Sequence, residues 1–274
     1  MKILLFGAKG YLGHLFLKQY PDAVPSSVDI ADSTAVSAEL DRVKPDVVIN
    51  AAGKTGRPNV DWCETHKEET LRSNVMGPIV LLQECGKRGI YWVHVGSGCI
   101  YQGVGDGGKG FSEDDPPNFS GSFYSRTKIW SDQILKDFPG VLQLRIRMPF
   151  DGLWSDRNLI VKLSRYKKIL NVENSLTYMP DLMKAADALI QKRKTGIYHV
   201  VNPGALSPVQ IMTMYTEIVD PKHVFEQISL EELLTFVRAG RSNCILSVKK
   251  LTDEGITMKP VEEAMREALE QLKQ

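Results

Sequence analysis

Tyr124 and Lys128 stand four residues apart in Tyr124-Ser125-Arg126-Thr127-Lys128, the one YxxxK among 274 residues. On a helix, positions i and i+4 share a face. An ammonium beside a phenol lowers the phenol's pKa. A phenol tuned in this way passes a proton to or from a substrate oxygen. Taken alone, the spacing describes an ordinary surface pair on a helix better; the glycine loop and Ser97 together reverse that balance. Ser97, in Gly96-Ser97-Gly98, follows the apolar run Ile90 to Val95, and its hydroxyl can hydrogen-bond the same oxygen. Asn74, in Arg72-Ser73-Asn74-Val75, can hold a water or a backbone group behind the lysine.

A second pattern supplies a reason for proton transfer. Gly7-Ala8-Lys9-Gly10-Tyr11-Leu12-Gly13 is a GxxGxxG that closes the apolar run Ile3 to Phe6 and opens a helical pattern at Tyr11. The first glycine permits a sharp turn, the second lets backbone approach a pyrophosphate, and the third lets helix and strand pack closely. Tyr11 and Leu12 begin the helix whose N-terminal N–H groups would face the phosphates. Asn50-Ala51-Ala52-Gly53 ends another apolar run, and small residues at Ala51, Ala52 and Gly53 would let a dinucleotide lie over the sheet edge. Asp29 and Asp32 lie near the place of the acid that binds the ribose of NAD. Asp29-Ile30 reads equally as a cap on the adenine, and Lys9 favours a 2′-phosphate. The balance points to NADP(H), with NAD as the alternative.

These residues need a scaffold. Ile3 to Phe6, Asp46 to Asn50, Ile90 to Val95 and Val141 to Ile146 read as buried strands. Between them Tyr11 to Tyr20, Thr70 to Lys87 and Phe123 to Phe138 read as helices. Such alternation predicts an α/β fold with a doubly wound parallel sheet of Rossmann type. After Pro149 helices dominate, at Asn158 to Lys167, Pro180 to Lys192, Pro208 to Val219, Ser229 to Val237 and Val261 to Leu272, with short strands near Gly196 to Val201. This predicts a smaller, mostly helical C-terminal substrate lobe. The boundaries are 1–149 with 176–200 for the dinucleotide domain and 150–175 with 201–274 for the lobe. The glycine-rich stretch Gly103 to Gly110 reads as a mobile loop.

Composition narrows the class. Net charge is +1 and apolar residues make up 43% of the chain, as in an ordinary globular protein. No basic stripe suggests nucleic acid, and no apolar run suggests a membrane span. With a strand starting at Lys2 there is no room for a signal peptide. Cys63, Cys85, Cys99 and Cys244 form no CxxC, and the histidines form no HxxxH. The expectation is a cytoplasmic protein with free thiols and no structural metal.

Further stretches carry a narrower pattern. They are Gly53 to Glu64, Gly98-Cys99-Ile100, Pro117 to Ser125, Arg145 to Pro149, Arg157-Asn158, Asn202-Pro203-Gly204 and Arg241-Ser242-Asn243. On these and the motifs above, the chain resembles the extended short-chain dehydrogenase/reductases. More narrowly it resembles the plant and viral bifunctional nucleotide-sugar 3,5-epimerase/4-keto-reductases of L-rhamnose donor synthesis, relatives of dTDP-4-dehydrorhamnose reductase. The resemblance spans nearly the whole chain. It implies that Ser97, Tyr124 and Lys128 serve reduction and that Cys99 and Lys162 serve epimerisation as acid and base. It implies substrate contacts from Arg57, Asn59, Cys99, Asn158, Lys162 and Arg241, the last on the diphosphate. It also allows a homodimer. A UDP- or dTDP-4-keto-6-deoxy-glucose would be the substrate.

Sugar 4,6-dehydratases of this superfamily carry an Asp-Glu pair where this chain has Gly98-Cys99, so dehydration is not expected. Two departures from the family pattern are the shorter loop at Gly103 to Gly110 and the absence of an arginine at Ser26-Ser27. Two other readings stay open. One is a monofunctional 4-keto-reductase with Cys99 structural, since most free cysteines are small buried apolar residues. The other is an NADP-binding regulatory subunit without turnover.

Overall fold

The computed structural model describes residues 1–273. Its elements begin with strand β1 (Ile3–Phe6), helix α1 (Tyr11–Gln19), β2 (Val24–Ser26), α2 (Ser33–Val43) and β3 (Val47–Asn50). Then come α3 (Asp61–Thr65), α4 (Lys67–Leu71), a π-helical turn at Arg72–Met76, α5 (Gly77–Lys87), β4 (Tyr91–Ser97), α6 (Phe123–Lys136) and β5 (Val141–Ile146). The remainder is β6 (Pro149–Phe150), α7 (Leu159–Leu163), β7 (Lys168–Leu170), β8 (Thr177–Tyr178), α8 (Met179–Gln191), β9 (Gly196–His199), α9 (Pro208–Ile218), β10 (Glu226–Ile228), α10 (Leu230–Leu234), α11 (Lys249–Asp253) and α12 (Val261–Lys273).

The main sheet has the order β2-β1-β3-β4-β5-β9. Its strands β1, β3 and β5 are buried along their whole length, which is what uninterrupted apolar runs covered on both faces give. The order reverses at β1, so the C-terminal ends of β1 and β3 flank the topological switch point, where ligands bind in such sheets. The predicted doubly wound Rossmann-type sheet is therefore the observed one.

Contacts divide the chain into two compact units. The first comprises Met1–Ile100, Pro117–Arg145 and Ala186–Tyr198; the second comprises Tyr101–Pro116, Ile146–Ala185 and the chain from His199. The first unit is held by a core including Leu4, Phe6, Leu40, Val48, Leu81 and Trp92. The second packs α12 through Val261, Ala264, Met265, Ala268, Leu269 and Leu272, one face at helical spacing, into a core with Phe150, Tyr178 and Met212. Small two-stranded sheets, β6 with β8 and β7 with β10, complete the second unit.

Several expected elements change in detail. The helix expected over Thr70 to Lys87 is broken by the π turn at Arg72–Met76. The helix expected from Asn158 to Lys167 ends at Leu163, because Lys168–Leu170 pairs with β10 as a strand. The helix expected from Ser229 to Val237 stops at Leu234. The stretch expected as a mobile loop, Gly103 to Gly110, is fastened at both ends. Gly103 exchanges hydrogen bonds with Asn243 and Ile245, and Phe111 does so with Ile245 and Ser247.

Candidate active site

The glycine loop is shaped by backbone crowding. Gly7 has φ +78°, and a Cβ there would collide with the backbone of Ala52 and stand 2.6 Å from the carbonyl carbon of Ala51. A Cβ on Gly13 would stand 2.7 Å from Cα of Ala8. These two glycines let α1 and the end of β3 close on the loop. Gly10 differs. A Cβ there would meet only the Gly7 carbonyl oxygen, at 3.2 Å. The space above Gly10 is thus left to a ligand. Gly10 is also the extended N-cap of α1, with no side-chain cap and no acidic residue in the first turn. An anion at that end meets the N–H groups of the first turn and the positive end of the helix dipole. Lys9 is exposed beside it, and Tyr11 and Leu12 are half-buried. The loop fits a dinucleotide pyrophosphate.

Asp29 is exposed. Its carboxylate accepts from the Ala31 N–H at 3.0 Å and from Arg72 Nε at 3.0 Å. These bonds, the backbone one foremost, hold its pKa below the usual carboxylate range. The Ile30 side chain is buried in the core under Gly77. That side chain packs against the start of α5.

Asn74, 1% exposed, sits in the π turn. Its Oδ1 accepts from the Lys54 N–H at 2.8 Å, and its Nδ2 donates to the Lys54 carbonyl at 2.9 Å and to Thr127 Oγ1 at 3.2 Å. The backbone group it holds is that of Lys54. A Cβ built on Gly53 would lie 3.5 Å from Asn74 Oδ1 and 3.7 Å from Lys128 Nζ. Loop end, asparagine and lysine therefore converge. π turns concentrate at functional sites because the widened turn re-aims side chains.

Helix α6 starts at an N-cap, Ser122, whose hydroxyl accepts from the Ser125 N–H at 3.0 Å. Tyr124 and Lys128 follow on one face, both buried. Burial pulls Lys128 down to about 8, while Cys99 and Asp132 oppose the shift. Ser97 ends β4, two residues beyond the expected strand end, and its Oγ accepts from the Cys99 N–H at 3.1 Å. Of the four free cysteines only Cys99 is not buried. Burial pushes the Cys85 thiol up to about 12 and raises Cys63. Both are packed in the interior.

Arg57 is exposed and Asn59 half-buried in the loop after Gly53. Asn59 Oδ1 accepts from the Asp61 N–H at 2.9 Å, which closes the loop onto α3.

The second unit carries the other three expected residues. Asn158 is 0% exposed and caps α7 through the Ile160 N–H, and its amide donates to the Asp151 carbonyl and carboxylate and to the Leu153 carbonyl. Every polar atom of that side chain is engaged inside the unit. These bonds orient α7 from inside the unit. Lys162 is half-buried on α7, and burial first, then Arg157, lowers its pKa. Arg241 is half-buried and donates to the Ala239 carbonyl at 2.6 Å.

The site also contains residues that the sequence patterns did not bring forward. Asn50 Oδ1 accepts from the Ala52 N–H, so its Nδ2 donates to His94 Nδ1 at 3.1 Å. The neutral His94 ring therefore carries its proton on Nε2. Burial, then the charge of Lys128, holds His94 far below its usual pKa. Thr127, inside the YxxxK itself, links Asn74 to the Tyr124 carbonyl. A buried polar residue on a strand has no distinctive spacing, which is why His94 gave no signal.

Among the described residues no group of three or more His, Cys, Asp or Glu can hold a metal ion, and no helix is long and apolar enough to cross a membrane.

Comparison with known proteins follows the same lines. The chain is 38% identical over 272 residues to a bifunctional dTDP-4-dehydrorhamnose 3,5-epimerase/dTDP-4-dehydrorhamnose reductase of Arabidopsis thaliana, covering 96% of this chain and 90% of that one. It is 36% identical to a trifunctional UDP-glucose 4,6-dehydratase/UDP-4-keto-6-deoxy-D-glucose 3,5-epimerase/UDP-4-keto-L-rhamnose-reductase of the same plant, with 97% of this chain matched to 41% of that protein's length. The crystal structure of a UDP-rhamnose synthase from Acanthamoeba polyphaga mimivirus superposes with a TM-score of 0.93 at 32% identity, covering 99% of both chains. A dTDP-4-dehydrorhamnose reductase from Bacillus anthracis, solved in complex with NADP, shares the fold with a TM-score of 0.83 at 21% identity, over 97% of this chain and 96% of that one. The family model described as the RmlD substrate binding domain matches residues 1–274, and the chain belongs to that family.

Proposed function

We propose that the chain is an NADPH-dependent nucleotide-sugar 4-keto-reductase that also inverts C3 and C5 of its substrate, yielding an L-rhamnose nucleotide. The reductase half rests on family membership and on the buried Ser97, Tyr124 and Lys128 set with Asn74 behind it. The observation that carries the epimerase half is Cys99, the one unburied cysteine, whose N–H is bonded to Ser97 Oγ at 3.1 Å.

The cofactor would lie on the Gly7–Gly13 loop and against Ala51, Ala52 and Gly53, with Lys128 on its ribose. When bound it supplies hydride to C4 of the sugar. The remaining work falls to side chains. Tyr124 gives its phenolic proton to the C4 oxygen, and Ser97 donates a hydrogen bond to that oxygen. Lys128, charged below about 8, favours the phenolate that is left. The ketone at C4 acidifies the C–H bonds at C3 and C5. Removal of either proton leaves an enolate on O4, which the same hydroxyls stabilise. Cys99 serves as one proton-transfer group for inversion. Lys162, with its lowered pKa, is assigned the other. Arg57, Asn59 and Arg241 are assigned to the sugar and its diphosphate. The sugar is UDP- or dTDP-linked.

The test is direct. The protein is offered UDP- and dTDP-4-keto-6-deoxy-glucose with NADPH in deuterated water. The expected result is NADPH oxidation and deuterium at C3 and C5 of a rhamnose product. Cys99→Ala should abolish the deuterium at both carbons while leaving reduction of a pre-epimerised 4-keto sugar. Unchanged exchange in that variant would refute the role of Cys99 and leave a monofunctional reductase. No sugar-dependent oxidation would refute the reductase itself.

A further inference from the structure

Glu64 ends the stretch Gly53 to Glu64 and has none of the roles assigned above. It sits on α3, and its Oε1 accepts from the backbone N–H of Phe123 at 2.6 Å. Phe123 is the first residue of α6, and Tyr124 is the next. The first turn of a helix has N–H groups with no intrahelical partner. Ser122 satisfies that of Ser125, and Glu64, from another element, satisfies that of Phe123. A carboxylate there also meets the positive end of the helix.

The segment leading to Glu64 is itself tightly set. Gly56 has φ +73°, and a Cβ there would stand 2.8 Å from Trp62 Cβ. Asn59 closes the turn onto Asp61. At its other end, Lys54 is held on both backbone groups by Asn74, which also donates to Thr127 of α6. The loop carrying Arg57 and Asn59 is therefore fastened to α6 twice: at Lys54 through Asn74 and Thr127, and at Glu64 through Phe123. The Phe123 ring also has Lys67 Nζ of α4 at 5.8 Å.

We infer that Glu64 is a positioning residue that seats the first turn of α6 on α3, fixing the phenol of Tyr124 against the loop that bears Arg57 and Asn59. The inference rests on the reductase reading for its kinetic consequence. Reach matters more than charge in this arrangement, because the bond is a specific one to a single N–H.

Two conservative variants separate reach from charge, and neither removes the side chain from α3. Glu64→Gln keeps the reach and loses the charge. Glu64→Asp keeps the charge and falls short by one methylene. The expected result is kcat for 4-keto reduction within about threefold of wild type for Gln and roughly tenfold down for Asp, a loss the size of one misplaced hydrogen-bond anchor. KM for the sugar rises with the loop in the Asp variant, and NADPH affinity by fluorescence titration stays within about twofold, because the glycine loop lies on other elements. Hydrogen exchange at Phe123 to Ser125 should be about tenfold faster in the Asp variant and unchanged in the Gln variant. The inference is overturned if Asp matches wild type, if Gln is as impaired as Asp, or if NADPH affinity falls in step with kcat. The exchange measurement needs no substrate. It decides the seating even if the wild-type protein turns over no 4-keto sugar, an outcome that would remove the reductase reading alone.

Discussion

Replacing Asp132 by asparagine tests two linked consequences of one buried charge. Asp132 lies on α6 one turn beyond Lys128, and it grips Arg145 of β5 with two bonds, at 2.8 Å from Nε and 2.7 Å from Nη2. The side chains are 5% and 2% exposed. Removing one partner of a buried pair leaves the other charge uncompensated and costs about 3–5 kcal/mol. At about 2–4 °C per kcal/mol for a chain of this size, the melting temperature should fall by roughly 6–20 °C. The second consequence is chemical. Asp132 supports the charged form of Lys128, which burial already pulls down to about 8. Without the carboxylate the ammonium loses its proton at lower pH still. In the proposed mechanism the charged lysine is the active form, so the rate of 4-keto reduction should decline as pH rises through its midpoint. In Asp132→Asn that decline should move down by about half a unit or more, equivalent to ~0.7 kcal/mol.

Differential scanning fluorimetry and a pH–kcat/KM profile read the two effects separately. The double variant Asp132→Leu with Arg145→Met removes both charges and should recover most of the lost stability. It should not recover the pH midpoint, because the carboxylate is still absent. A fall in melting temperature below about 3 °C for the single variant would refute the buried-pair argument. A double variant that restores the pH midpoint as well would refute the link between Asp132 and Lys128.

Three further outcomes follow from the geometry. Gly13→Ala places a Cβ 2.7 Å from the backbone of Ala8, so NADPH affinity should drop by more than about tenfold and stability by about 1–3 kcal/mol, checked by titration and thermal unfolding. Asn158→Ala removes the α7 cap and three donated bonds, and should cost about 2–3 kcal/mol with nucleotide-sugar binding lost only as α7 frays; calorimetry of the two variants Ala and Asp tells capping from contact. In the native protein one thiol, Cys99, should react promptly with a maleimide and the other three only on unfolding, with peptide mapping to identify the site.

The parts of this protein that were legible in its sequence are those where one physical demand dictates the residue. Gly7 and Gly13 must be glycine because backbone lies where a Cβ would be. Tyr124 and Lys128 share a helix face whatever surrounds them. The buried strands announce themselves as apolar runs. Helix α2 is harder to read, because most of its eleven residues are polar; its signals are the Asp32 cap on the Ala35 N–H and the spacing of Val36, Leu40 and Val43. Asn158 shows the converse. A conspicuous polar residue beside Lys162 suggests a surface contact, yet its amide is consumed in holding a turn. Polar side chains carry no mark in the sequence that separates binding from bracing. Glu64 and His94 escape for the same reason, since their partners lie on elements distant in sequence.

The π turn joins these cases. Thr70, Asn74, Gly77, Leu81 and Glu84 are buried at helical spacing and read as one continuous helix. Yet Pro78 stands inside that run. A proline there has no N–H for the carbonyl of Asn74, and its ring crowds that carbonyl. The chain answers by widening: the Gly77 N–H reaches back five residues to the Arg72 carbonyl, and α5 restarts with Pro78 in its first turn, where a missing N–H costs nothing. The widened turn holds Asn74 against Lys54 and Thr127, behind Lys128, while Gly77 still accepts Ile30 of the first unit's core. The backbone irregularity thus has a cause written in one residue, and its effect is felt at the lysine four positions beyond Tyr124.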